Sequence, residues 1–267
     1  MLVWLVIACS GGDGTEIDPW APPALPEDLE PPTEASLALE ELVGASIDPG
    51  QVGDWIGAAQ DATELRRRMA AADLVTVYRV TLRAGDWSPE AVQVLADAGS
   101  LRSLEQLDAG GARLGAEGGR ILGGASWLGN VQILDLDGSG LGDDGFAGLC
   151  QGDLRGVVGL DLSHNGLTAA SIERFGQGPF GKVERVDVSG NALGDEGLRL
   201  LAASKRLDTV TDLGIADVSM GERGLFYVVS SPSMAGLDRL DVRGNSLSEA
   251  QLGELVAAFG DDAIVTD

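Results

Sequence analysis

VVGLDLSHNGL (Val157–Leu167), VERVDVSGNAL (Val183–Leu193) and LDRLDVRGNSL (Leu237–Leu247) are three spellings of one phrase. With the Asn of the phrase as a ruler, equivalent positions fall at Gly85, Ala112, Ser139, Asn165, Asn191, Val218 and Asn245, separated by 27, 27, 26, 26, 27 and 27 residues. Within the phrase, Leu160 and Leu162 alternate with Asp161 and Ser163, the pattern of a short strand with one buried face. The same apolar slots recur in every copy. Eight before the ruler stand Val77, Leu104, Val131, Val157, Val183, Val210 and Leu237; five before, Val80, Leu107, Leu134, Leu160, Val186, Leu213 and Leu240. Three before come Leu82, Ala109, Leu136, Leu162, Val188, Ile215 and Val242, and two after, Trp87, Leu114, Leu141, Leu167, Leu193, Met220 and Leu247. A chain that is 44% hydrophobic does not fill four columns of seven without a structural reason.

The second half of each copy reads as a helix. Phe146 and Leu149, Ile172 and Phe175, Leu198 and Leu201, Leu225 and Val228, and Leu252 and Leu255 are spaced to share one helical face. Ser88-Pro89-Glu90 supplies a cap followed by proline in the first turn, and Ser248 with Glu249 supplies another start. Strand, turn and helix repeated in phase stack into a curved parallel solenoid in which each unit buries its face only against its neighbours. Ile264 falls in phase with Leu237, which raises the question of a last half-strand in AIVTD at the C-terminus.

These columns resemble the leucine-rich repeat family, whose consensus L-x-x-L-x-L-x-x-N-x-L has a length of roughly 20 to 29 residues. The long period and tails of the GDEGLRLLA type (Gly194–Ala202) are most similar to its ribonuclease-inhibitor-like branch. The resemblance implies an α/β solenoid of about seven repeats, with a curved parallel sheet on the concave side and helices on the convex side. In that family the ladder Asn is buried and bonds neighbouring turns; here only Asn165, Asn191 and Asn245 keep it. Looser turns are expected at Gly85, Ala112 and Val218, where buried backbone loses that partner.

Four segments follow from composition. Residues 74–267 carry the repeats, and residues 35–73 read as a helical cap over the first repeat, with helices expected at Ala35–Gly44 and Gln51–Ala72. Residues 10–34 are an acidic, Pro-rich linker: from Met1 to Leu65 there are thirteen acidic residues and no Lys or Arg. Residues 1–9 contain an apolar run, Leu2–Ala8, far too short to span a bilayer but near the lower limit of a signal-peptide core. Val6-Ile7-Ala8-Cys9 resembles the lipobox of bacterial lipoproteins, which implies lipid attachment at Cys9 and a place in the cell envelope. Ser10 then favours the outer membrane. The missing positive n-region keeps a cytoplasmic location open as the alternative.

Catalytic chemistry finds no foothold. With Cys9 acylated, Cys150 is the only thiol, and it sits in a column otherwise filled by Ala96, Gly123, Gly176, Ala202, Val229 and Val256, where it reads as a small core residue. His164, the one histidine, occupies a turn slot held by Gly138, Gly190 and Gly244 in sister copies. No phosphate-binding glycine motif, zinc spacing or nucleophile elbow is present. Asp135–Phe146 imitates a calcium loop at positions 1, 3, 5, 6 and 9, but position 12 is Phe146 rather than Glu. Leu136 and Leu141 are already committed to core columns. No catalytic residue, metal ligand or cofactor is therefore expected.

What remains is the outward face of the strands. Four before the ruler stand Asp108, Asp135, Asp161, Asp187 and Asp241 in five of seven copies, stacked about 4.8 Å apart as neighbouring strands require. Like charges at such spacing repel by about 1 kcal/mol each even in water, so cations are favoured there. Arg79, Arg83, Arg185, Arg239 and Arg243 flank this column. At a net charge of −24, nucleic acid and anionic lipid are poor partners. The expected protein is a monomeric, non-enzymatic repeat module that binds a protein or peptide, a cationic one by charge, and touches membrane only through its lipid anchor. A passive surface lipoprotein with no ligand and a soluble intracellular scaffold are the competing readings.

Overall fold

The computed structural model describes residues 49–72 and 74–266, with side chains from residue 52 onward. Cys9, the segments read as signal and linker, and the helix expected at Ala35–Gly44 lie outside the described residues.

Seven three-residue strands recur at the expected spacing: β1 (Arg79–Thr81), β3 (Gln106–Asp108), β5 (Ile133–Asp135), β6 (Gly159–Asp161), β7 (Arg185–Asp187), β8 (Asp212–Gly214) and β9 (Arg239–Asp241). They form one parallel sheet in chain order, closed at its far edge by β10 (Ile264–Val265). The register runs Val80, Leu107, Leu134, Leu160, Val186, Leu213, Leu240, which is the expected apolar column. Of the four columns of seven, every member is buried except Leu247 in the last copy, where no further repeat covers it. The half-strand in AIVTD exists, but Ile264 pairs with Leu240, three residues from the phase that its spacing suggested. The short 3-10 turn Asp261–Ala263 after helix Glu249–Phe259 shortens the return path and shifts that phase.

Between strands run the helices α3 (Pro89–Ala96), α4 (Gly115–Gly123), α5 (Gly142–Leu149), α6 (Ala169–Gln177), α7 (Gly194–Ala202), α8 (Glu222–Val229) and α9 (Glu249–Phe259). Their starts follow local chemistry. Ser88 Oγ accepts Ala91 N–H ahead of Pro89, and Ser248 closes a capping box with Gln251. Other caps are lent across copies, which no single-copy reading shows. The Asp143 carboxylate accepts Thr168 N–H at 2.9 Å and Thr168 Oγ at 2.6 Å, and that of Asp195 accepts Gly221 N–H and Gly224 N–H at 2.7 and 2.9 Å. Each Asp sits in the first turn of its own helix and serves the start of the next.

Before β1 lie α1 (Pro49–Gly57) and α2 (Ala62–Ala71), not the single helix expected over Gln51–Ala72. Asp61 explains the break: in extended conformation it accepts Thr63 N–H and Glu64 N–H, both at 2.8 Å, and so restarts the helix. Helix α1 lies against the free edge of β1. A Cβ on Gly53 would stand 1.6 Å from the carbonyl oxygen of Arg79, and one on Gly57 1.9 Å from that of Thr81, so only glycine lets these backbones meet. Arg68 reaches back to the carbonyl of Trp55 and packs over its ring.

The turns differ between copies. Asn191 Oδ1 accepts Asn165 N–H (3.0 Å) and Leu167 N–H (2.9 Å), while its Nδ2 donates to Leu162 O and Val188 O. Asn245 makes the same set toward Val218, Met220 and Ile215, while Asn165 accepts one N–H, from Leu141, and donates to Leu136 O and Ser163 O. The first two copies lack the amide but are not looser. They pair backbone to backbone as β2 (Gly85–Asp86) and β4 (Ala112–Arg113), with Gly85 N–H donating to Gly111 O at 2.9 Å. At Ser139 the hydroxyl donates to Ala109 O instead. Near Val218 the turn uses left-handed residues without glycine, Asp217 and Ser219 at φ 49° and 60°.

Candidate functional site

The register places Asp108, Asp135, Asp161 and Asp187 side by side on consecutive strands, with Asp241 one strand beyond Gly214. The expected column is real, but its members do not simply project outward. Each folds back so that Oδ1 accepts the N–H two residues on: Gly110 (3.1 Å), Asp137 (2.9 Å), Ser163 (2.8 Å), Ser189 (2.8 Å) and Arg243 (3.1 Å). This is an Asx turn, in which the side chain imitates a backbone carbonyl and bends the chain out of the strand. The recurrent Asp thus has a local cause in every copy that carries it. Where Gly214 stands instead, Ala216 N–H turns to Ser189 Oγ at 3.0 Å, and the space a side chain would need is filled by the Asp187 carboxylate.

That folding back buries part of the column. Asp161 is 6% and Asp241 8% exposed, and Ser163, expected to face outward, is 5% exposed. Burial first, and then the charge of Asp187, push Asp161 up to about 8 against opposing bonds from Ser163. Burial likewise raises Asp108 and Asp212 above the ordinary carboxylate range, with Arg79 and Arg239 respectively countering it. The centre of the face is therefore less negative at neutral pH than a count of carboxylates implies.

The arginines divide into two groups. Arg79 pairs with Asp54 of α1 at 2.7 Å, and Arg83 donates to the carbonyls of Ala59 and Gln60 at 2.9 and 3.1 Å. Both tie the first strand to the helices before it and do not flank the Asp column as an open rim, because the strand edge that they border is covered. Arg185, Arg239 and Arg243 do stay on the face. Arg243 grips Asp241 through Nε and Nη2, at 3.1 and 2.7 Å, and Arg239 lies 3.9 Å from Asp212 and 4.0 Å from Asp241. The result is an acidic stretch over β3 to β7 and a charge-paired stretch over β8 and β9.

Sequence reasoning passed over a second row. Tyr78, Glu105, Gln132, Val158, Glu184, Thr211 and Asp238, one residue before each of the seven strands, are more open than the Asp column for the most part. Strict alternation puts this position inside with Leu160. The backbone bends there instead, since the carbonyls of the first six, from Tyr78 to Thr211, each accept two N–H groups from the next copy, as Tyr78 O does from Glu105 and Gln106.

Cys150, His164 and the calcium-like loop all sit in structural slots. Cys150 packs against the core, and burial pushes its thiol up to about 12, far from a reactive thiolate. His164 has φ 53°, matching Gly138 at 59° and Gly190 at 66°; its Nδ1 meets Asp137 Oδ1 at 2.8 Å and its ring covers Gly190. The nearby Ser163 hydroxyl is engaged by the carboxylates of Asp161 and Asp137, at 2.5 and 2.9 Å. Leu136, Leu141 and Phe146 of the calcium-like loop are all buried in the core. Among the described residues no group of three or more His, Cys, Asp or Glu is arranged to hold a metal, and no helix is long and apolar enough to cross a membrane.

A family model described as a leucine-rich repeat matches residues 182–202, the copy that contains β7, Asn191 and α7. No curated protein shows significant similarity to the chain. With the strand of the matched copy repeated in register across one continuous parallel sheet and helices between the strands, the chain has the architecture of a leucine-rich repeat solenoid.

Proposed function

We propose that this is a protein- or peptide-binding module of the ribonuclease-inhibitor-like branch, that its ligand is cationic, and that a lipid on Cys9 tethers it to a bacterial envelope membrane. The observation that carries the binding reading is the uninterrupted stack of Asp108, Asp135, Asp161 and Asp187 on adjacent strands, with no cation from the neighbouring strand positions between Arg79 and Arg185. A lysine- or arginine-bearing segment laid along β3 to β7 gains about 1 kcal/mol per close charge pair in water-like surroundings, and more where the face is half buried. The test uses the full chain and a fluorescent oligo-lysine peptide at low salt. Asp108→Asn, Asp135→Asn and Asp187→Asn are combined, since Asn keeps the Asx-turn acceptor and removes only charge. Binding should weaken at least about tenfold; no binding by the parent chain, or binding untouched by the triple change, overturns the reading. For the anchor, mass spectrometry of the native N-terminus should find an acylated Cys9, and an intact Met1 removes the tether.

A second reading is favoured by one observation. Because every Asp of the column forms an Asx turn, its recurrence is explained without any ligand, as in a passive surface protein. The same titration separates the two.

A further inference from the structure

We propose that Asp161, Ser163 and Asp137 form a proton-sharing centre in the middle of the concave face, with Asp161 as its neutral member, so that protonation sets the charge this surface shows to a ligand. Its consequence for ligands rests on the binding reading above, but its test needs no ligand. Ser163 Oγ lies 2.5 Å from Asp161 Oδ1 and 2.9 Å from Asp137 Oδ1. A hydroxyl carries a single hydrogen and can satisfy one of these contacts. If both carboxylates are ionised, the other contact sets lone pair against lone pair. One proton shared by the two acids removes that conflict.

The surroundings decide where the proton rests. Asp137 is 44% exposed in its side chain and has His164 Nδ1 at 2.8 Å, so its negative charge is both solvated and answered. Asp161 is 6% exposed and stands between the carboxylates of Asp135 on β5 and Asp187 on β7. Arg185, the nearest cation on β7, is in register with Gly159 rather than with Asp161. From its own turn Asp161 meets the hydroxyl and N–H of Ser163, with His164 turned to Asp137. Two like charges on either side, little water and no facing cation favour the neutral acid at this position. Burial and the Asp187 charge, which push Asp161 up to about 8, agree with that placement. A proton held on Asp161 is felt at Asp137 through the Ser163 hydroxyl that joins them.

The experiment follows the side-chain carboxyl carbons of the full, ¹³C-labelled chain by NMR from pH 4 to pH 10, with the Asp161 signal assigned by its loss in Asp161→Asn. Asp161 should titrate at least about two pH units above the ordinary aspartate value near 3.9, and the Asp137 signal should show a second inflection at the same midpoint. In Ser163→Ala the inflection at the Asp161 midpoint should vanish from the Asp137 signal. An Asp161 midpoint in the ordinary range, or an Asp137 signal blind to the Asp161 step, overturns the proposal. Should Asp161→Asn not fold, the Ser163→Ala comparison alone decides it. Failure of oligo-lysine to bind at every pH would count against the binding reading and leave this titration standing.

Discussion

Asn165, Asn191 and Asn245 each tie their turn to that of the preceding copy through a buried amide, whereas the turns at Gly85 and Ala112 are tied to each other by backbone alone. The helices above them differ in the same sense. On α4 and α5 a Cβ added to Gly119 would stand 2.6 Å from the carbonyl oxygen of Gly145, and one on Gly148 2.7 Å from Cα of Arg120, so this pair packs main chain against main chain. On α9 a Cβ at Gly253 meets nothing within 4 Å. One region is held by close backbone approach that only small residues permit. The other is held by side-chain hydrogen bonds that only Asn supplies at its slot.

The largest test removes an amide. Asn191→Ala strands two N–H groups and frees two carbonyls in a site that is 1% exposed, and should cost about 3 to 5 kcal/mol in urea unfolding. A loss below about 1 kcal/mol would show the amide tie to be no stronger than the backbone pairing it replaces. Next in size, Gly119→Ala should cost about 2 kcal/mol by overpacking the α4 and α5 pair, and an unchanged midpoint would mean that the two helices can part freely.

The pH dependence is smaller at any one point. A carboxyl held above its unfolded value keeps a proton that the unfolded chain has released, so its stabilisation is full below about pH 4. It is lost as pH rises toward the Asp161 value of about 8. Relative to Asp161→Asn, the parent chain should lose at most about 1.4 kcal/mol per pH unit across that window and run parallel to the variant above it. Parallel curves from pH 5 to 9 would refute the shift. Smallest of all, Gly253→Ala on α9 should stabilise by about 0.5 to 1 kcal/mol, since it adds helix propensity in open space. Destabilisation there would mean that the last helix is packed as tightly as α4.

The apolar columns were legible because burial repeats at fixed spacing: Leu160, Leu162 and their counterparts could be assigned to the core from period alone. The Asp column was legible in place but not in posture. Alternation predicts on which side of a strand a residue starts, yet an Asx turn then draws the side chain back over its own backbone, and no periodicity encodes that. The fate of Arg79 and Arg83 was hidden for another reason, since their partners Asp54, Ala59 and Gln60 belong to a different segment. The break between α1 and α2 could have been read from Asp61 followed by Thr63 and Glu64, a helix-start signal inside an otherwise helical stretch.

Asp143 and Asp195 lend their carboxylates forward to the next helix, while Asn165, Asn191 and Asn245 lend their amides backward to the preceding turn. At the junction of α5 and α6 both loans operate at once, so neither copy has all its polar groups satisfied until the other is in place. In a linear array with nearest-neighbour coupling, such mutual completion moves free energy out of the units and into the joints between them. The fourth copy and its neighbour should therefore melt together rather than peel away one at a time, which gives the middle of the acidic face a rigid floor even if the ends of the array fray.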